Sequence, residues 1–124
     1  MTVVLPSRVL VLVCVALALA AASAGAHAFL DRAEPRGGST LKTPPPRVRL
    51  WFTGALEPAY SRVHVVNGAG ERVDAGDSQV DPGNRAVLTV SLPALPPGTY
   101  KVVWRILSVD THVSEGDFSF RVTQ

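Results

Sequence analysis

The stretch Asp117-Phe118-Ser119-Phe120-Arg121-Val122-Thr123 alternates strictly between apolar and polar side chains. Successive side chains of a β-strand point to opposite faces, so Phe118, Phe120 and Val122 face a core while Ser119, Arg121 and Thr123 face water. Working back along the chain, the segment 99–108 places Tyr100, Val102, Trp104 and Ile106 opposite Lys101, Val103, Arg105 and Leu107. Apolar groups on both faces are the mark of a central strand. Val48, Leu50 and Phe52 alternate with Arg47, Arg49 and Trp51; Val63 and Val65 alternate with Arg62 and His64; 86–92 gives one strand more. Trp51 and Trp104 read as core aromatics. Between these runs stand Pro44-Pro45-Pro46, Asn67-Gly68, Asp81-Pro82-Gly83-Asn84 and Pro96-Pro97-Gly98, residues suited to the backbone angles of turns. Pro or Gly interrupts nearly every stretch long enough for three helical turns. The pattern predicts an all-β fold, a sandwich of short strands.

The first residues belong to another kind of segment. Arg8 precedes an apolar run over 9–22, and Ala24-Gly25-Ala26 supplies the small-x-small pattern that a signal peptidase cleaves. The run is shorter than the roughly 20 residues that span a bilayer. Residues 1–26 are therefore expected to be a cleaved signal peptide, with 27–124 as one exported domain whose first residue is His27. Loss of Arg8 takes the 12 basic residues to 11 against 10 acidic ones, so the domain is close to neutral. It has no basic stripe, and a nucleic-acid partner is not expected. Cys14, the only cysteine, leaves with the signal, which removes disulfides, thiolate metal sites and cysteine nucleophiles from the exported domain.

A chain that begins with His offers a metal two nitrogens from one residue, because the α-amine and imidazole Nδ1 close a six-membered chelate ring. Both deprotonate at modest cost near neutral pH. Asp110 and His112 stand two apart, and in an extended segment such positions share a face and can reach one ion. Three nitrogens and one carboxylate oxygen in a tetragonal arrangement suit copper(II), with zinc as the competitor for the same ligands. Against this, Asp-x-His is often a hydrogen-bonded turn with no metal role. His64 shares a strand face with Arg62 and reads as an exposed histidine. Arg105 is a candidate hydrogen-bond donor to a site carboxylate, and Glu57 a loop acid that is not expected to be a ligand.

Several separated motifs carry a resemblance. They are His27-Ala28-Phe29-Leu30, Pro35 with Gly38-Ser39, Val48-x-Leu50-x-Phe52, Pro97-Gly98-Thr99-Tyr100, Trp104-Arg105 leading to Ser108-x-Asp110-Thr111-His112, and Gly116-x-Phe118-x-Phe120-x-Val122. Over nearly the whole exported domain the chain resembles the CopC family of periplasmic copper-binding proteins. The resemblance implies a Greek-key, immunoglobulin-like β-sandwich of about seven strands. It also implies a site for one copper(II) ion made by His27, Asp110 and His112, a location in the periplasm or cell envelope, and a CopD-type inner-membrane copper transporter as partner. A monomer without enzymatic activity is the expectation. Two departures stand out: Val113 follows the second histidine where many members carry Pro, and Met1 is the only methionine, so the copper(I)-binding Met-rich loop of some members has no counterpart.

Two other functions compete on the residues alone. An N-terminal His with a second His on a β-sandwich is also the copper brace of polysaccharide monooxygenases. Oxygen activation needs open coordination positions, however, and Asp110 would fill one. A metal-free adhesion module is the third reading.

Overall fold

The structure is a computed structural model and describes residues 28–124; the expected signal segment, 1–26, and His27 lie outside the described residues. Eight strands follow in order: β1 (Leu30–Glu34), β2 (Thr40–Leu41), β3 (Arg47–Phe52), β4 (Arg62–Val66), β5 (Gln79–Asp81), β6 (Asn84–Ser91), β7 (Gly98–Leu107) and β8 (Val113–Val122). They form two four-stranded sheets, β1-β3-β6-β5 and β2-β8-β7-β4. The chain is all-β, as the alternation requires. The strand count is eight instead of about seven, the shortest being β2 and β5, of two and three residues.

Each long strand buries every second side chain between the sheets. Val48, Leu50 and Phe52 come from β3 and Val63 and Val65 from β4; Leu88 and Val90 on β6 meet Val102, Trp104 and Ile106 on β7 and Phe120 and Val122 on β8. Full burial of such a side chain contributes roughly 1.5–3 kcal/mol, so this interlayer holds a domain that has no cross-link. β7 lies between β8 and β4; its inner face is buried, while Lys101 and Arg105 on its outer face are exposed and Val103 and Leu107 half-buried.

Two expectations are corrected. Trp51 is not in the core: it stands half-buried on the outer face of its sheet, with the Arg32 guanidinium 3.9 Å from the ring centre and that of Arg49 at 5.3 Å. Its neighbours in the alternation, Arg47 and Arg49, had already placed it there. The last strand starts at Val113, four residues before Asp117, and pairs with β7 all the way from Leu107↔Val113 to Gly98↔Val122. Apolar alternation fails in its first half because Gly116 occupies the inward position opposite Trp104, and the indole fills the space. A Cβ there would lie 2.6 Å from Trp104 Cζ2.

Candidate metal centre

The long β7–β8 hairpin delivers the segment 108–112 to one end of the sandwich. Ser108 N–H donates to His112 O at 3.0 Å, and Thr111 N–H donates to Ser108 O at 2.9 Å. Thr111 has φ 71°, in the left-handed region. A three-residue hairpin loop closed in this way is a turn followed by a left-handed residue. The chain thus reverses between Asp110 and His112.

This reversal, and no shared strand face, brings the two candidate ligands together. Asp110 Oδ2 lies 3.1 Å from His112 Nδ1. The other carboxylate oxygen, Oδ1, accepts the hydroxyl of Ser108, and that hydroxyl oxygen accepts the His112 N–H at 3.3 Å. Ser108 is itself buried, so the loop is tied to the body of the protein through one side chain. Its hydrogen bond holds the Asp110 carboxyl below the ordinary carboxylate range, against the desolvation that pushes it up; His112 adds to the lowering. The lowering favours the anionic form of Asp110. The His112 side chain is half exposed and Asp110 more sheltered.

The start of the described chain lies close by. Phe29 N–H donates to Thr53 Oγ1 at 2.9 Å, and Thr53 N–H donates back to Phe29 O at 2.8 Å. Ala28 is buried against Gly54, whose added Cβ would meet the Ala28 Cβ at 3.6 Å. The next residue, Ala55, accepts the Val109 N–H at 3.1 Å. Residues 53–55 thus bridge the chain entry and the Asp110 loop.

Two of the three sequence-predicted ligands come together, while the third, His27, precedes the described residues. Among the described residues no group of three His, Cys, Asp or Glu side chains gathers to hold a metal. The donors present are a nitrogen and an oxygen, suited to a borderline divalent ion and not to soft copper(I). Their separation is also suitable. With bonds of about 2.0–2.2 Å to nitrogen and oxygen, two ligands at a right angle lie about 3 Å apart.

The remaining candidates stand apart from this loop. His64 and Arg105 line the outer face of the second sheet with Arg62, Glu115 and Asp117, so Arg105 does not steady a site carboxylate. Glu57 is near in backbone terms, its N–H donating to Leu107 O at 2.8 Å, but its carboxylate turns to Arg85 at 3.9 Å. The role of Ser108 had not been anticipated. Its signal was present in the Ser-x-Asp spacing, which places a short hydroxyl within reach of a carboxylate two residues on.

Residues 30–123 match the family model described as the CopC domain. The chain belongs to the CopC family. Among solved structures, CopC from Methylosinus trichosporium OB3b is 34% identical, with a TM-score of 0.69 over 77% of this chain and 93% of its own. PcoC from Escherichia coli, a methionine-rich copper resistance protein, is 28% identical, with a TM-score of 0.66 over 79% of this chain and all of its own. The copper transport protein CutJ of Bacillus subtilis is 31% identical over 98 residues, which cover 78% of this chain but 18% of CutJ. The chain thus spans under a fifth of that relative's length. Membership makes this a copper protein of the CopC type, with the family's Greek-key sandwich, and sets it among copper-binding carriers, not among oxidative enzymes. Unlike methionine-rich PcoC, this CopC-family chain has a single methionine, Met1.

Proposed function

We propose that cleavage after Ala26 releases a monomeric domain, residues 27–124, that binds one copper(II) ion through His27, Asp110 and His112 in the periplasm or cell envelope. The observation that carries the reading is the 3.1 Å approach of Asp110 Oδ2 to His112 Nδ1 on the loop beside the chain entry. His27 is the residue immediately before Ala28, and residues 53–55 join Ala28 to the Asp110 loop. Its α-amine and imidazole add two nitrogens to the nitrogen and oxygen already adjacent, completing a tetragonal set.

The anionic Asp110 lowers the net charge of the bound copper(II), and Ser108 keeps it oriented toward His112. With no Cys or Met in residues 27–124, the ion loses its ligands' preference on reduction, so the domain serves copper(II) alone. In CutJ the matching stretch is a small part of a longer copper transport protein. We extend that link to a partner in trans: the domain carries copper to a CopD-type inner-membrane transporter.

The test is copper(II) titration of the domain beginning at His27 and of its Asp110→Ala and His112→Ala variants. Each substitution is expected to weaken binding by about tenfold or more, or roughly 1.4 kcal/mol. Circular dichroism should show the fold retained. Two variants with the parent's affinity would remove the site from this loop.

A further inference from the structure

Strand β8 is bordered unequally on its two sides. Toward β7 it is paired from Val113 to Val122, whereas on the other side its neighbour β2 pairs only with Arg121 and Val122. Three bonds fix which residues face that outer side: Gly38 N–H donates to Ser119 O at 2.7 Å, Arg121 N–H to Ser39 O at 2.9 Å and Thr123 N–H to Leu41 O at 2.8 Å. In an antiparallel ladder the N–H and C=O of one residue point to the same side, and the side alternates along the strand. Val113, Glu115 and Asp117 therefore turn their backbone groups to the open side, where no acceptor or donor among the described residues meets them. The burial of β8 follows the same division. Beside β2 the inward Phe120 and Val122 are buried, but beyond its end the inward Ser114, Gly116 and Phe118 are only half-buried. The other edge of this sheet, along β4, has side-chain acceptors for its Val63 and Val65 N–H groups.

We propose that the open edge at 113–117 receives an extended segment of another protein as an added antiparallel strand, one that carries basic residues at two alternate positions. Unpaired N–H and C=O groups at a sheet edge are a template for such a strand. The charge of the edge selects which. Glu115 and Asp117 both stand exposed on the outer face, and neither makes an ion pair among the described residues, not even with Arg105 opposite Glu115 on β7. A paired strand sets its own outward side chains directly opposite them, where opposite charges attract. Running antiparallel, the segment meets Asp117, then Glu115, then Val113, so its outward residues read basic-x-basic-x-apolar. Its inward residues lie beside the half-buried Phe118, Gly116 and Ser114 and are apolar, to cover them. A second copy does not fit. Two β8 edges would bring acid against acid, and this chain's own stretch of that pattern, Arg47-Val48-Arg49-Leu50-Trp51, is already paired on both sides in β3. The inference is independent of the copper reading, since no proposed ligand takes part.

The test is NMR titration and amide hydrogen exchange on the domain beginning at His27. The probe is a capped peptide, Thr-Val-Lys-Val-Arg-Val-Ile-Thr, compared with the same peptide carrying Glu in place of Lys and Arg. The basic peptide should slow exchange of the Val113, Glu115 and Asp117 amides and leave unchanged those of Ser114, Gly116 and Phe118, which face β7. It should bind about tenfold or more tighter than the acidic peptide. N-methylation at its arginine removes a backbone donor but keeps the charge, and should abolish binding. Glu115→Lys combined with Asp117→Lys should reverse the preference, with circular dichroism confirming the fold. Equal affinity for the two peptides, tolerance of the N-methyl group, protection elsewhere than at these three amides, or no binding at millimolar peptide overturns the proposal. Protection of the same amides without peptide, in a dimer, would make this edge a contact between copies and overturn it as well.

Discussion

The Asp74 carboxylate accepts the backbone N–H of Val65 at 2.9 Å, on the side of β4 that has no neighbouring strand. Two residues earlier, the Val63 N–H is met by Ser78 Oγ, also at 2.9 Å. Together with the Val73 N–H, which donates to Val65 O at 2.9 Å, these side chains cover the free edge of β4 and so protect it from pairing with another chain. The Asp74 side chain is fully buried and also accepts Arg72 Nη2 at 2.9 Å and the Gly76 N–H at 2.9 Å.

Burial pushes the Asp74 carboxyl up, but the hydrogen bonds from Arg72, Val65 and Gly76 more than offset it and hold it below the ordinary carboxylate range. A carboxyl lowered by folding adds stability above its unfolded pKa of about 3.9, and that stability is lost as the pH falls through the folded value. Asp74→Ala leaves the buried Val65 N–H without an acceptor and should cost about 1–3 kcal/mol at neutral pH. For a domain of this size each kcal/mol lowers Tm by roughly 4–8 °C. Thermal melts from pH 7 to pH 3 check both halves: the gap between parent and variant should narrow as the pH falls below about 4, and a constant gap would refute the linkage.

Gly116 gives the second prediction. Its inward Cβ position is occupied by the Trp104 ring, and Trp104 packs edge-to-face on Phe52 with centroids 5.2 Å apart. Any side chain at 116 must displace the indole from a packed core. Gly116→Ala should therefore destabilise by about 1–3 kcal/mol, the usual cost of overpacking. Chemical denaturation with tryptophan emission as the readout checks it; an unchanged midpoint would mean that the ring has room to move.

How far these features could be read beforehand follows from the same residues. Phe118, Phe120 and Val122 announce their strand because each inward position carries its own apolar group. The first half of β8 is silent because its core position is filled by Trp104 from the neighbouring strand, a substitution that no pattern within one segment reveals. The Asp110 and His112 pair was legible as a spacing, but the assumed cause, a shared strand face, was wrong. The real cause needs Thr111 at positive φ, which a β-branched residue adopts only at a cost. Asp74 was invisible altogether, since an acid among Gly and Ser residues reads as solvated until the edge it caps is known.

Ser108 should matter to copper without touching it. Removing its hydroxyl frees Asp110 Oδ1 and loosens the His112 amide, so the carboxylate and imidazole lose their fixed mutual orientation. Loss of such an orienting partner typically costs about 10–100-fold in metal affinity. Ser108→Ala is expected to fall in that range in copper(II) titration against a competing chelator. An affinity equal to the parent's would show that the loop backbone alone positions the ligands.

The last prediction concerns the new N-terminus. If Ala26 is the final residue of the signal, export creates a ligand by freeing the α-amine of His27, and the precursor lacks the complete site. One additional Gly before His27 converts that amine into an amide nitrogen, a poor neutral ligand, and breaks the six-membered chelate. Asp110, His112 and the His27 imidazole all remain. Affinity for copper(II) should drop by about tenfold or more, roughly 1.4 kcal/mol. Acid should act on the native form in a defined order. Ser108 and His112 lower the Asp110 pKa and favour its anionic form, so the protons that displace copper go to the nitrogen ligands, the amine among them. Binding by the native form should therefore weaken progressively below about pH 7, with a steeper pH dependence than in the Gly-extended form, which has one competing proton site fewer. Titrating both forms with copper(II) between pH 5 and pH 8 separates the contributions. Equal affinities and equal slopes would mean that the terminal amine is no ligand, and that the copper is held by side chains alone.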